Sequence, residues 1–556
     1  MKPISRRAFC LTAGAGSLAL STRLLAANGV VQQHCVTERS YTSGKVYRDP
    51  FNEVELDFVI TDPKGRDQRV PAFWAGEQTW RFRYAPDLLG RYTYRSICSD
   101  ASNKDLHGCP GSLEVVPYEG TNPLYLHGPL RVAADRRHFE HGDGAPFFWL
   151  GDTWWMGLCK RLRWPEDFQV LAADRLKKGF TVIQIVAGLY PDMPQFDPRG
   201  ANEAGYPWEK EYARINPAYF DMADLRIQYL AGRGLIPCVV ACWGYFLPIL
   251  GPAKMKQHWR YLVARWGAYP VIWCLAGEGS MPYYLSKQKE QDAADQKRGW
   301  TEIAQYVRSV DPYHRLVTIH PSDSSRNNVE DPTVLDFEML QTGHSDRNSI
   351  PKTVNLVTGA IAQSPRMPVL DAEVCYEGIM EASRQEVQRF MFWTSILNGA
   401  AGHTYGANGI WQVNTRERPF GPSPHGRSWG DTPWEEAYQL PGSKQLGLAK
   451  TLLMRYSWWM LEPHPEWIEP HWSKENYLQP YCAGIPGELR IAFIPAWNAH
   501  KMKQLEPGVA YHAIFFNPAT GKEQEIGRVM ADSSGSWDIP MPPIFQDWVV
   551  VLAKSR

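Results

Sequence analysis

Val271-Ile272-Trp273-Cys274-Leu275-Ala276-Gly277-Glu278 and Pro368-Val369-Leu370-Asp371-Ala372-Glu373 decide how this chain folds. Each is a short apolar run closed by a glutamate. A run of this kind, without alternation, reads as a strand buried on both faces, the environment of a parallel sheet. A glutamate at the C-terminal end of such a strand serves packing poorly. In a β/α barrel that end is where active sites are built. Two carboxylates facing one cleft are what glycoside hydrolysis requires.

Working outward from these two segments, eight strand candidates emerge: Phe147–Leu150, Thr181–Val186, Ile236–Ala241, Val271–Leu275, Leu316–Ile319, Asp336–Leu340, Val369–Leu370 and Ala400–Thr404. Amphipathic stretches separate most of them. In Pro165–Lys178, Phe168, Leu171, Ala172 and Leu176 share one face; Ala218–Ala231, Lys256–Trp266, Ala293–Val310 and Arg384–Leu397 read alike. The connection Pro321–Pro332 is polar and predicts no proper helix, and the Gly/Pro/Trp-rich stretch Asn408–Gly442 predicts a rim loop after the eighth strand. This is the pattern of a TIM barrel with insertions. A doubly wound open sheet is the alternative, and no glycine-rich phosphate fingerprint supports it.

The flanks read differently. Val54-Glu55-Leu56-Asp57-Phe58 and Trp80-Arg81-Phe82-Arg83-Tyr84 alternate apolar and polar residues, as half-buried strands do. From about Glu462 the chain returns to β character, with Leu489–Ile494 and Asp547–Leu552 as strands. The expected class is α/β: a (β/α)8 TIM barrel over 121–461, flanked by N-terminal (28–120) and C-terminal (462–556) β-sandwich domains.

Ser5-Arg6-Arg7-Ala8-Phe9, followed by small and apolar residues from Cys10 to Leu20, reads as a twin-arginine signal peptide over 1–27. It predicts a periplasmic or secreted protein. No later segment is apolar enough to predict a membrane span. Lys+Arg and Asp+Glu are both 59, a balance that carries no electrostatic footprint for nucleic acid. An oxidising compartment permits disulfides, and Cys98 with Cys109 is a plausible pair. Cys238, Cys242, Cys274 and Cys375 fall in or beside buried strands and read as small apolar residues. No Cys-x-x-Cys spacing occurs, and the histidines stand on separate strands, so neither metal nor cofactor is expected.

On this strand count Glu278 ends strand four and Glu373 ends strand seven, which lie close across a barrel mouth. A separation of about 5 Å would make the chemistry retaining, with Glu278 as general acid/base and Glu373 as nucleophile. Glu377 competes with Glu373 for that role, or supports it by binding sugar. Asp152, in Gly151-Asp152-Thr153-Trp154, suits hydroxyl binding with Trp154 for stacking, or else caps the following segment. Trp243, His320 and Tyr405 occupy comparable strand ends and are candidate substrate contacts. Gln184 is expected inside the barrel, and His344, after the sixth strand, on a solvent loop or else as a donor to a sugar hydroxyl. Gly277-Glu278-Gly279-Ser280 holds an acid where a serine hydrolase would hold its nucleophile, which removes that class. The expected function is an exported glycosidase acting on polysaccharide or oligosaccharide. The alternatives are a non-catalytic carbohydrate-binding protein on the same scaffold and a polysaccharide lyase.

Pro146–Trp155, Gly179–Gln184, Trp273–Glu278 and Pro368–Glu377 together resemble the apiosidase-like glycoside hydrolases, the domain-of-unknown-function 4038 group that includes glycoside hydrolase family 140. The resemblance covers about residues 122–460. It implies a (β/α)8 barrel and a retaining, exo-acting mechanism with its carboxylates at Glu278 and Glu373. It also implies a preceding β-sandwich and a following collagen-binding-type β domain. The family pattern usually carries Gly-Gly-Asp where this chain has Ala276-Gly277-Glu278. The longer side chain points to a different subgroup and to plant or bacterial polysaccharide as the substrate class.

Overall fold

A computed structural model describes residues 29–555, so the leader expected over 1–27 lies outside the described residues. The chain divides into two compact units between Thr121 and Asn122.

In the first unit, Val30–Gln32, Pro110–Val116, Gly90–Cys98, Leu56–Thr61 and Asp67–Pro71 form one sheet in that order. Thr37–Thr42, Thr79–Tyr84 and Phe73–Gly76 form a second. Alternation drives the packing: along Gly90–Cys98, Tyr92, Tyr94, Ser96 and Cys98 are buried while Arg91, Thr93 and Arg95 are exposed. Phe58 of one sheet stacks on Phe82 of the other with ring centroids 3.9 Å apart. The Cys98–Cys109 disulfide expected from sequence does not form; both thiols are free. Cys109 stands opposite Ser96, whose N–H donates to its carbonyl at 3.0 Å, two residues short of Cys98.

The second unit is built on eight parallel strands: β1 (Trp149–Thr153), β2 (Val182–Val186), β3 (Ile236–Val240), β4 (Ile272–Cys274), β5 (Val317–Thr318), β6 (Glu338–Gln341), β7 (Val369–Glu373) and β8 (Gly402–Tyr405). Their hydrogen-bonded order is β5-β4-β3-β2-β1-β8-β7-β6. Between β5 and β6 there is no ladder. Single bonds span the seam: Asp336 N–H to Val317 O at 2.8 Å and Thr318 Oγ1 to Phe337 O at 3.0 Å. The result is a (β/α)8 barrel. Every residue of β1, β2 and β3 is buried, because a strand with sheet neighbours on its edges and helices outside has no wet face.

The surrounding helices are α1 (Glu166–Lys177), α2 (Pro217–Gly232), α3 (Phe246–Trp266), α4 (Lys289–Val310), α5 (Ile350–Ile361), α6 (Gln385–Leu397) and α7 (Pro441–Leu453). In α4 the buried Gln296, Trp300, Ile303, Ala304 and Val307 recur at helical spacing. In α1, Glu166 and Asp167 open the first turn and Arg175 and Lys177 close the last, complementing the helix dipole. The β5–β6 connection holds only short 3₁₀ turns, Ser325–Asn328 and Pro332–Val334.

The C-terminal part of this unit has a six-stranded antiparallel sheet, including Tyr481–Ile485, Leu489–Ile494, Trp548–Lys554 and Tyr511–Phe516. A three-stranded sheet of short strands accompanies it, and Trp467, Phe515 and Trp548 belong to the core. Arg389 of α6 ties it to the barrel through Asp547 at 2.6 and 2.8 Å. Among the described residues no helix is long and apolar enough to cross a membrane.

Candidate active site

The chain extends β-like pairing beyond β4. Gly277 bridges Trp243, with Gly277 N–H on Cys242 O at 2.9 Å and Gly244 N–H on Gly277 O at 2.7 Å. A Cβ on Gly277 would collide with the Trp243 ring, so glycine lets the indole lie flat against the backbone. Glu278 follows in a left-handed conformation, φ 43°, a state a non-glycine residue holds only when its surroundings impose it. Its Oε2 accepts from Trp243 Nε1 at 3.2 Å.

Glu373 is aimed by a different device. Leu340 pairs with Asp371 but Gln341 pairs with Glu373, so Ala372 is an extra residue, a bulge in β7. Before the bulge, Asp371 points at the helices and accepts from Ser395 Oγ of α6 at 3.2 Å. After it, Glu373 faces the barrel mouth. Gln341 Nε2 donates to both acids, 3.2 Å to Glu278 Oε1 and 3.3 Å to Glu373 Oε1. His344 Nε2 lies 2.9 Å from Glu373 Oε1. His320 Nε2 stands 3.2 Å from Glu373 Oε2 without the alignment of a hydrogen bond.

These surroundings pull the two acids apart. Burial, then the charge of Glu373, pushes Glu278 up to about 7. Burial would also raise Glu373, but the imidazoles of His320 and His344 outweigh it and hold that carboxyl down at about 2. Two like acids with divergent proton affinities are the arrangement that assigns one to proton donation and the other to nucleophilic or electrostatic duty.

Both acids line a cavity of about 330 Å³ with Trp155, Trp243, Tyr376, Trp411 and Trp429 among its walls. Tyr376 stacks between His344 and Trp411, at 4.8 and 5.8 Å, and its hydroxyl accepts from Trp155 Nε1 at 2.9 Å. Trp411 and Trp429 come from the 408–442 stretch, which forms part of the rim. Their indole N–H groups, and Gln341 Oε1, are buried with no partner among the described residues. Among those residues no group of three His, Cys, Asp or Glu side chains is set to hold a metal ion.

The sequence model for the apiosidase-like catalytic domain matches residues 133–460. This chain belongs to the apiosidase-like family. Membership makes it a glycosidase. A domain of unknown function (DUF5060) matches residues 30–99. Among solved structures, one named glycoside hydrolase is 21% identical with a TM-score of 0.65, covering 79% of this chain and 99% of its own. A glycoside hydrolase family 5 structure from Bacteroides vulgatus is 22% identical with a TM-score of 0.66, covering 79% and 95%. A candidate glycoside hydrolase from the same organism, 17% identical, covers 95% of this chain and 100% of its own with a TM-score of 0.68. At such identities the likeness is one of fold. No curated protein matches the chain.

Of the residues singled out from sequence, the apiosidase-like barrel sets Glu278, Glu373 and Trp243 on the cavity wall, and His320, expected as a substrate contact, stands fully buried against Glu373. The barrel does not bring the other four to the cavity. Asp152 faces outward from β1 and accepts from Arg175 Nε at 2.6 Å and from Trp154 Nε1 at 2.7 Å. Trp154 packs edge-on to Phe168 of α1. Tyr405 donates to Glu377 Oε2 at 2.6 Å, and the Gly442 N–H donates to the same carboxylate at 3.0 Å. The Arg175 guanidinium lies over the Tyr405 ring, so the four residues form one buried polar cluster between barrel and helices. Gln184 is inside the barrel, donating to Ala372 O at 3.1 Å. His344, expected on a solvent loop, is instead a partner of Glu373. Gln341, Tyr376, Trp155 and Trp429 were not anticipated. The sequence signal for Gln341 and His344 is position: Gln341 closes β6 and His344 follows three residues later.

Proposed function

We propose that this glycosidase is a retaining enzyme in which Glu278 is the general acid/base and Glu373 the nucleophile, acting on plant or bacterial polysaccharide or oligosaccharide after export. The observation that carries the reading is the single amide of Gln341 shared by both carboxylates. Oxygens 3.2 and 3.3 Å from one nitrogen can be no farther apart than the lower edge of the ~6.5–9.5 Å separation that admits a water in inverting enzymes, which favours the retaining geometry. Protonated Glu278 gives its proton to the leaving glycosidic oxygen while ionised Glu373 attacks the anomeric carbon. A water then attacks the resulting ester, Glu278 takes its proton, and Glu373 leaves as the carboxylate.

The cavity supports a polyhydroxylated ligand. Its unpartnered indole N–H groups and amide oxygen need both acceptors and donors, which one sugar supplies, and its aromatic faces accept the sugar's C–H surface. Its volume of about 330 Å³ sits at the small end of the ~300–1,000 Å³ range of ligand pockets. Export rests on Ser5-Arg6-Arg7-Ala8-Phe9.

The test begins with reducing-end release from a panel of plant and bacterial polysaccharides. Proton NMR of the first-formed anomer then shows retention, and a 2-fluoro glycoside inactivator labels Glu373. Inversion, or unchanged turnover in both Glu278→Ala and Glu373→Ala, rejects the site. Replacing Arg6 and Arg7 together by Lys abolishes periplasmic delivery if the leader works as read.

A further inference from the structure

The proposed mechanism uses two of three carboxylates lining the cavity. The third is Asp192, on the loop after β2. It is buried, and its backbone is left-handed at φ 56°. One hydroxyl fixes it twice: Tyr284 Oη accepts from the Asp192 N–H at 3.1 Å and donates to Oδ1 at 3.1 Å. Tyr284 belongs to the loop that follows Glu278, and its ring is held edge-on by Tyr245 and His425. A strained residue pinned at a cavity wall by a neighbouring loop is built for a purpose other than packing.

Among the described residues Asp192 has no lysine or arginine partner in the cavity; of the rings that line it, His425 is within electrostatic reach of the carboxylate. Arg199 is within electrostatic reach, but its guanidinium is held by both oxygens of Asp197 at 2.9 Å. His344 is committed to Glu373, and the His425 ring is 2.9 Å from Ser423 Oγ. Burial raises the Asp192 carboxyl above the usual carboxylate range, against the Tyr284 hydroxyl, the His425 ring and the Trp429 indole N–H, which favour its ionised form. A carboxyl buried at a cavity wall is costly to ionise unless a ligand donates to it, and sugar hydroxyls would supply those donors.

We propose that Asp192 is the specificity-determining residue for the sugar held in this cavity: its carboxylate accepts hydrogen bonds from the hydroxyls of a neutral glycosyl unit and excludes uronic sugars. The assignment rests on the two-carboxylate reading above. Two carboxylate oxygens can take two adjacent hydroxyls, with the neighbouring indole presenting a donor to a third oxygen. A uronic sugar would add a further anion beside Asp192 and Glu373 with no lysine or arginine lining the cavity to receive it, a repulsive element that separates the two substrate classes.

The experiment compares wild type, Asp192→Asn, Asp192→Ala, Tyr284→Phe and Glu373→Ala on 4-nitrophenyl hexosides and pentosides and on the corresponding uronides, with thermal melting to verify folding. Turnover is expected only for neutral glycosides. Asp192→Asn lowers kcat/KM on the best of them by about 10- to 100-fold, mainly through KM, because hydrogen bonds to a charged group are lost. It also narrows the neutral-to-uronic ratio. Tyr284→Phe keeps the charge and loosens its aim, raising KM several-fold at nearly constant kcat. Uronides cleaved as fast as their neutral counterparts, turnover of no neutral glycoside, or unchanged kinetics in Asp192→Asn would overturn the assignment. If Glu373→Ala is dead and Asp192→Asn is unaffected, only this inference falls. If Glu373→Ala keeps its activity, the two-carboxylate reading falls with it.

Discussion

The barrel holds two sets of acids that look alike in sequence and differ in their partners. Glu278 and Glu373 stand at the mouth, share one neutral amide and take opposite proton affinities. Asp152 and Glu377 also sit at or just past strand ends beside aromatic residues, yet both are paired away. Asp152 is neutralised by a fully buried arginine, and Glu377 by a tyrosine hydroxyl and a backbone N–H. A strand-end position therefore does not define a catalytic acid. What sets Glu278 and Glu373 apart is that they face one cavity together and share one amide, where Asp152 and Glu377 are paired to an arginine or to donors behind the barrel wall.

The largest effect that separates the sets is on turnover. Glu373→Ala is expected to lower kcat on the order of 10⁵-fold, as removal of a covalent nucleophile does. Glu278→Ala costs about 10²–10⁴-fold, the usual worth of a positioned general acid. Steady-state kinetics on one cleaved substrate gives both numbers. Asp152→Ala and Glu377→Ala should leave kcat per folded molecule within a few-fold of wild type; equal losses in all four would erase the distinction.

The pH profile sharpens it. Glu278 must carry its proton to act, so activity falls as pH rises through about 7. Glu373 must be ionised, so activity falls only near pH 2, unless the protein unfolds first. The stability sign for Glu278 is the reverse of the usual carboxylate. Its folded pKa is raised above 4.5, so the stabilisation is present below about 4.5 and lost as pH rises to about 7. Glu278→Gln should remove the alkaline limb of kcat and raise Tm more at pH 8 than at pH 5. An alkaline limb surviving in that variant assigns it to another group.

Stability separates the sets in the opposite direction. Asp152→Ala leaves Arg175 buried without the carboxylate that its Nε meets at 2.6 Å. Breaking one side of a buried pair costs about 3–5 kcal/mol. Denaturant unfolding of Asp152→Ala should show that loss, partly offset because Asp174 remains 2.6 Å from the same guanidinium. A change below 1 kcal/mol would mean that the pair is not holding β1 to α1.

The barrel strands were legible because continuous burial leaves continuous apolar runs, and each of the eight expected segments contains a strand of the barrel or overlaps one. Helices α5 and α7 were not anticipated. In α5 the period is present, with Ile350, Thr353, Val354, Val357 and Ala360 buried at helical spacing, but a proline at the start, β-branched residues and Gly359 lower its helix propensity. In α7, Gly447 occupies a point where a Cβ would strike the Lys178 carbonyl, so close packing against the end of α1 is written as a residue that reads as a helix breaker. At the site, strand ends gave the two glutamates. Gln341 and His344 reach them through a bulge and a turn, and Trp429 through a long loop. Which acids would be neutralised depended on Arg175 and Gly442, distant in sequence from both.

The smallest test is also the most discriminating. Tyr405→Phe removes one donor from Glu377 but leaves the Gly442 N–H in place. A buried acceptor that loses one of its partners costs about 1–3 kcal/mol. If the cluster is purely structural, Tm falls by a few degrees and KM and kcat stay near wild type. Glu377, however, lies next to Tyr376, whose ring stacks on His344 and thereby touches the partner of Glu373. A loss of kcat above tenfold with Tm unchanged would show that the buried cluster sets the aim of Glu373 through Tyr376. The two sets of acids would then be one coupled machine rather than a site and its scaffold.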